Sequence, residues 1–204
     1  MEKMIQDFIE SSKQQWDEEY KAQMWDYLSD ITEYARYSVV YGYIRKFAAT
    51  EGILDMGCGA GNLYDLLTEQ EKPAYVGVDL SEEAIKIASR KTDAPIFYCA
   101  DINHYTPPRS FDVIVFNESL QYVPNTPAKL LEYAEFLTPG GVIVTSMYSH
   151  KNQQDPDYAM VEHKIQEIET CGSFEVVDKV SLFNHKAGLK WYVHVLKPNN
   201  TAKK

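Results

Sequence analysis

Three glycines spaced two apart, Gly57, Gly59 and Gly61, follow a short apolar run that carries Asp55, in the stretch ILDMGCGAG. Without a Cβ the backbone takes positive φ readily and lets a ligand lie at van der Waals distance from the main chain. Amides that open a following helix would point outward as donors. The chemistry this suits is cofactor binding at a strand-to-helix turn; the alternative is a flexible glycine turn with solvated acids around it. Dinucleotide sites have G-x-G-x-x-G beneath a pyrophosphate, whereas the pattern here is D-x-G-x-G-x-G.

Such a turn needs a scaffold. With 204 residues, 45% hydrophobic and 25% charged, the chain has the size and composition of one globular domain, burying roughly 70% of its unfolded surface. Its net charge of -10 disfavours nucleic acid as a partner, since phosphate is met by Lys and Arg. No apolar tract is long enough to cross a bilayer, and the polar, acidic opening MEKMIQDFIESSKQQWDEEYK lacks a signal-peptide core. A cytoplasmic protein acting on a small molecule, away from membranes, is expected; oligomeric state is left open. Cys58, Cys99 and Cys171 are odd in number and not in CxxC spacing, so they read as reduced thiols in small buried positions rather than disulfides or zinc ligands.

Residues 5–48 read as helix, with Trp16, Tyr20, Met24, Tyr27, Leu28 and Ile31 recurring every three or four positions. Beyond Gly52, short apolar runs alternate with helical stretches, the signature of parallel strands joined by crossover helices. Strands are expected near 52–56, 75–79, 96–99, 111–117 and 142–148, and helices near 62–69, 81–91 and 127–136, with Ser81 as a cap. TPGG, at 138–141, should end the third of these helices and turn the chain into the fifth strand. A last helix running to about Thr170 precedes FEVVDKVSLF and KWYVHVLKP, which read as an antiparallel hairpin. The fold class is therefore α/β: a Rossmann-like, doubly wound, mostly parallel seven-stranded sheet with a carboxy-terminal hairpin edge. Residues 1–48 are expected to form a helical lid and substrate segment, 49–199 the cofactor-binding core, and 200–204 a tail.

A carboxylate at Asp55 suits a cofactor with an ammonium end and a sulfonium centre better than a pyrophosphate. The chain resembles the class I S-adenosylmethionine-dependent methyltransferases of the small-molecule type. ILDMGCGAG resembles the family's first motif, YVGVDLS its second, YCADI its third, FDVIVFNESLQYV its fourth, and LTPGG the turn before the fifth strand. The resemblance implies S-adenosylmethionine as cofactor, held by Asp55 and by the loop residues Gly57, Cys58, Gly59 and Gly61. Asp79, about twenty residues past the loop, would accept from the ribose hydroxyls. Asp101 would accept from the adenine amino group and the amide of Ile102 would donate to the ring, which Leu80 and Ile102 would sandwich. Asn117 and Tyr20 complete the implied cofactor set.

The same resemblance directs the methyl group toward the ends of the fourth and fifth strands. Glu118 would orient an acceptor hydroxyl or amine, and His150 would be the general base for a hydroxyl. Trp16, Arg36, Tyr122 and His163 are the candidates for binding the acceptor, Arg36 through a carboxylate or phosphate unless it forms a surface ion pair. NESL differs from the N-P-P-Y-type sequence of enzymes that methylate nucleic-acid bases, and with only Glu118 acidic in the relevant region no metal is expected. The implied reaction is methylation of a small polar metabolite such as a sugar derivative or natural-product precursor, at oxygen first, and at nitrogen or carbon second. A nicotinamide oxidoreductase and a non-catalytic cofactor-binding partner subunit are the competing readings. His104, His185 and His194 read as surface or packing residues.

Overall fold

The computed structural model describes residues 2–49, 51–149 and 156–199. Among the described residues, seven strands form one sheet: β1 (Ile53–Met56), β2 (Tyr75–Asp79), β3 (Phe97–Cys99), β4 (Phe111–Asn117), β5 (Leu137–Ser149), β6 (Phe174–Asn184) and β7 (Leu189–Pro198). Five α-helices of the described residues accompany them, besides short 3-10 turns: α1 (Glu2–Lys21), α2 (Ile31–Phe47), α3 (Glu82–Ala88), α4 (Thr126–Ala134) and α5 (Pro156–Thr170). The strand order is β3-β2-β1-β4-β5-β7-β6. β1 to β5 run parallel, while β7 is antiparallel to both β5 and β6. The Rossmann-like sheet with its hairpin edge is thus the observed architecture.

Side chains alternate across a strand, and the central strands are apolar on both sides. Leu54, Met56, Ile114, Phe116, Ile143 and Met147 pack into the core shared with α4 and α5. Ile53, Val113, Val115, Val142 and Val144 pack into the opposite core, with Tyr37, Val40 and Ile44 of α2. Of the amino-terminal segment, α2 is therefore a layer of the core, and α1 is the cover.

Four details differ from the sequence expectation. First, the helix over residues 5–48 is broken. The Met24 N–H bonds to the Glu19 carbonyl and that of Gln23 to Tyr20, with Gln23 at φ 59, which is a Schellman stop. It is built on Gln rather than Gly, so composition does not announce it. Second, residues 62–69 form no α-helix. A 3-10 turn at Tyr64–Leu66 ends with Leu67 extended, and the Thr68 N–H turns to Glu71 Oε2 at 2.7 Å, while Leu63, Tyr64 and Leu67 anchor the stretch in the core. Third, TPGG lies inside β5, where the pairing with β4 shifts register. Fourth, Cys99 is exposed and Cys171 half-buried, leaving Cys58 as the buried cysteine, because Cys99 ends the edge strand β3.

Candidate cofactor and acceptor site

The chain reverses direction between β1, which continues to β2, and β4 on its other side, and ligand crevices open at the carboxyl ends of strands at such a point. Here the crevice is a cavity of about 820 Å³. Ser119 ties its two walls together: its hydroxyl donates to the Met56 carbonyl at 2.6 Å. Gly57 (φ 82) and Gly59 (φ 54) occupy the left-handed region at its floor. A Cβ on Gly57 would lie 2.6 Å from the Ser119 Cβ, and one on Gly59 would lie 2.7 Å from the Tyr20 hydroxyl. Tyr20 thus covers the loop, and burial, then the Asp79 charge, pushes its phenol up. Cys58 also lines the cavity. Gly61 does not: its place is against Ala88 and Phe97, so its missing Cβ serves packing rather than a ligand.

The loop amides are not the free donors that the sequence suggested. Those of Gly57 and Cys58 donate to the Val78 carbonyl, and that of Gly61 to Cys58. The Gly59 amide donates to Asp79 Oδ2 at 2.8 Å, and Ser81 N–H to Asp79 Oδ1 at 2.9 Å. Asp79 is therefore rigid at the end of β2, with each oxygen keeping a further lone pair; burial raises its pKa against these bonds. At the end of β3, Asp101 accepts from the Asn103 amide at 2.8 Å and from His104 Nδ1 at 2.9 Å. Leu80, Asp101 and Ile102 line the same end of the cavity.

Asp55 is 1% exposed. Its Oδ2 accepts from the Tyr75 hydroxyl at 2.7 Å, while its Oδ1 is buried with no hydrogen-bond partner. Burial pushes its carboxyl up to about 7, the Tyr75 bond notwithstanding. A buried carboxylate with one oxygen orphaned is costly and marks a place where a cationic ligand group fits.

Arg36 is buried, 1% exposed, so the surface ion pair is excluded. It pairs with Glu33 at 2.9 Å, donates to Asn117 Oδ1 and lies 4.3 Å from the Tyr37 ring centroid. Burial works against its charge, and Glu118, Tyr37 and Glu33 more than offset that, leaving its pKa raised. Glu118 adopts φ 60, a conformation of the kind held under strain at functional sites. Its oxygens accept from Ser146 Oγ at 2.8 Å and the Tyr148 amide at 2.7 Å, and burial raises its pKa.

Aromatic rings close the cavity. Trp16 stands 5.2 Å from Trp25 and 5.1 Å, edge-on, from Tyr122. Asp17 fastens this cover, accepting from Ser81 Oγ at 2.6 Å and the Glu83 amide at 3.1 Å, so a residue of α1 helps cap α3. Lys13–Glu82 adds an ion pair at 2.6 Å.

One candidate histidine stands apart from this site. His163 is 70% exposed and sits 3.6 Å from Glu167. It lines a separate hollow with Glu169, Lys179 and Tyr192, because the face of α5 that carries it looks away from the cavity. His150 lies outside the described residues. His194 is buried on Glu169 at 2.9 Å and His185 meets Phe183 edge-on, both packing roles. Tyr75, Ser119, Tyr148 and Trp191 were not anticipated. Trp191 reaches the cavity wall because β7 pairs with β5 and sets it opposite Tyr148, a register that periodicity alone does not specify. Among the described residues, no group of His, Cys, Asp and Glu is arranged to hold a metal ion, and no helix is long and apolar enough to cross a membrane.

A family model described as "Methyltransferase domain" matches residues 49–194. The trans-aconitate 2-methyltransferase of Afipia carboxidovorans is 30% identical over 115 residues, covering 56% of this chain and 44% of that protein. Its counterpart in Rhodopseudomonas palustris (strain BisB18) is 34% identical over 110 residues, covering 53% and 42%. The chain thus spans less than half the length of these curated relatives. Among solved structures, the N-methyltransferase NodS from Bradyrhizobium japonicum WM9, in complex with S-adenosylhomocysteine, superposes with a TM-score of 0.70. It is 19% identical and covers 86% of this chain and 92% of its own.

Proposed function

Since the chain belongs to the class I S-adenosylmethionine-dependent methyltransferases, we propose that it transfers a methyl group from S-adenosylmethionine to a small-molecule acceptor inside the aromatic-roofed cavity. The observation that carries this reading is the orphaned, buried Oδ1 of Asp55 beside the left-handed glycine turn at Gly57 and Gly59. Asp55 would hold the cofactor's ammonium, and Asp79 its ribose hydroxyls. Asp101 and Ile102 would meet the adenine edge, Leu80 its face. Arg36, beside Asn117 at the end of β4, is assigned to the cofactor's carboxylate rather than to an acceptor.

The bound sulfonium supplies an activated methyl group, and the protein's contribution is positioning and the exclusion of water. Trp16 and Trp25 shield the cavity from above, with the exposed Tyr122 at their edge; Glu118 is the group held in place to orient an acceptor and take its proton. The curated relatives are named for trans-aconitate, and the coarser reading that this chain shares with them is a small-molecule acceptor. His150, as the base for a hydroxyl acceptor, remains part of the proposal for oxygen chemistry.

Replacing Asp79 with Ala tests the reading. Loss of hydrogen bonds to a charged group is worth about 1.5–3 kcal/mol, so S-adenosylhomocysteine should bind roughly ten- to a hundredfold more weakly in calorimetry, with thermal melts verifying that the variant is folded. Unchanged affinity would remove the ribose assignment.

A further inference from the structure

We infer that the acceptor is a small organic amine, bound as its cation with the nitrogen on Glu118 and methylated there; this rests on the cofactor reading above and names the substrate class it leaves open. Charge inside the cavity carries the inference. Arg36 is the one cationic side chain lining it among the described residues, and Glu33 and Asn117 already occupy part of its guanidinium. Five carboxylates of the described residues line the cavity, Glu33, Asp55, Asp79, Asp101 and Glu118, of which Glu33 is paired with Arg36. An acceptor rich in carboxylates would meet Glu118 with no cation to spare.

The hydrogen-bonding inventory has the same sign. Glu118 is fixed by Ser146 and Tyr148 and keeps further lone pairs. Next to it, the Gln121 side-chain amide donates to the Glu118 carbonyl at 2.8 Å, which leaves Gln121 Oε1 buried without a partner. Both groups call for donors, and an ammonium carries up to three. Aromatic rings line the cavity: Trp16, Trp25 and Tyr122, and the Tyr148–Trp191 pair, 6.4 Å between centroids. Aromatic faces attract cations, more strongly where water is excluded.

The chemistry balances without a further reagent. The docked ammonium gives one proton to a Glu118 oxygen, and the freed nitrogen lone pair forms the N–C bond to the methyl carbon. The C–S bond breaks as its electrons pass to sulfur. The products are the methylated ammonium, a neutral thioether and one proton, which leaves Glu118 for solvent. Burial raises the Glu118 carboxyl, which makes it a better proton acceptor than an exposed glutamate.

All three tryptophans of the chain, Trp16, Trp25 and Trp191, line the cavity, so intrinsic fluorescence reports its occupation. Protein saturated with S-adenosylhomocysteine, with saturation established by calorimetry, is titrated with benzylamine and, separately, with phenylacetate. Benzylamine should bind at least about tenfold more tightly than phenylacetate, and Glu118→Gln should cut that preference about tenfold while S-adenosylhomocysteine still binds. Equal affinities, no binding of the amine, or preference for the anion would overturn the inference and leave the cofactor reading intact. Failure to bind S-adenosylhomocysteine would overturn both. If Glu118→Gln does not fold, the ratio measured on the unaltered protein decides.

Discussion

Replacing Asp55 with Asn is expected to weaken S-adenosylhomocysteine binding about a hundredfold, a loss of about 2.7 kcal/mol, and to stabilise the ligand-free protein at pH 8. Both effects come from one atom. Oδ1 of Asp55 is buried without a donor, so its ionised form is disfavoured and its pKa stands at about 7, well above 3.8. A carboxyl whose folded pKa is raised contributes stability below its unfolded pKa and loses it as pH rises through the folded value. Wild-type stability should therefore fall between pH about 4 and about 7 and stay low above that. The Asp55→Asn substitution removes the carboxyl's share of this slope, a gain of about 1–3 kcal/mol at pH 8, measurable as a shift in urea midpoint. The bound ammonium needs the ionised form, so wild-type affinity should rise with pH up to about 7 and then level off. Affinity independent of pH in this range, together with undiminished binding by the Asn variant, would detach Asp55 from the cofactor.

Gly57→Ala should destabilise the fold by about 2–5 kcal/mol and abolish measurable cofactor binding. A left-handed backbone costs a non-glycine residue about 1–2 kcal/mol, and Gly57 has φ 82. The added methyl would sit 2.6 Å from the Ser119 Cβ, and forced overpacking costs about 1–3 kcal/mol. Ser119 cannot retreat freely, since its hydroxyl bonds the Met56 carbonyl and so joins the ends of β1 and β4. Gly61→Ala makes a control: its φ of 78 carries the same backbone strain, but its Cβ would meet Ala88 and Phe97 at 3.4 Å. The control should lose stability and keep much of its cofactor affinity. Equal loss of binding in both would show that the loop matters only as a fold element.

The parts of the site that were legible in the sequence are those set by local pattern. Gly57, Gly59, Asp79 and Asp101 lie at or just past the ends of strands marked by short apolar runs, and the mostly parallel sheet with its hairpin edge follows from the alternation of strand and helix and the two closing strands. What escaped depends on partners distant in the chain. The helix stop at Gln23 uses a residue with no special left-handed preference, and the lost helix after Gly61 reflects Leu63, Tyr64 and Leu67 being claimed by the core. Arg36 read either as a grip on an acceptor's carboxylate or phosphate or as a surface ion pair until α2 proved to be a core layer, and His163 looked near the site only because the face of α5 was unknown. Tyr75 and Trp191 entered through strand register, which sets them beside Asp55 and Tyr148.

The central claim is that the glycine turn and the carboxylates of Asp55, Asp79 and Asp101, near the carboxyl ends of β1, β2 and β3, hold one adenosyl cofactor, and a crystal structure grown with S-adenosylhomocysteine tests it most directly. The ribose hydroxyls should be bonded to Asp79, the adenine should lie between Leu80 and Ile102, and the amino group should be within hydrogen-bonding distance of Asp55 Oδ1. Density for the ligand elsewhere, or an empty turn in crystals that are saturated with it, would contradict the claim.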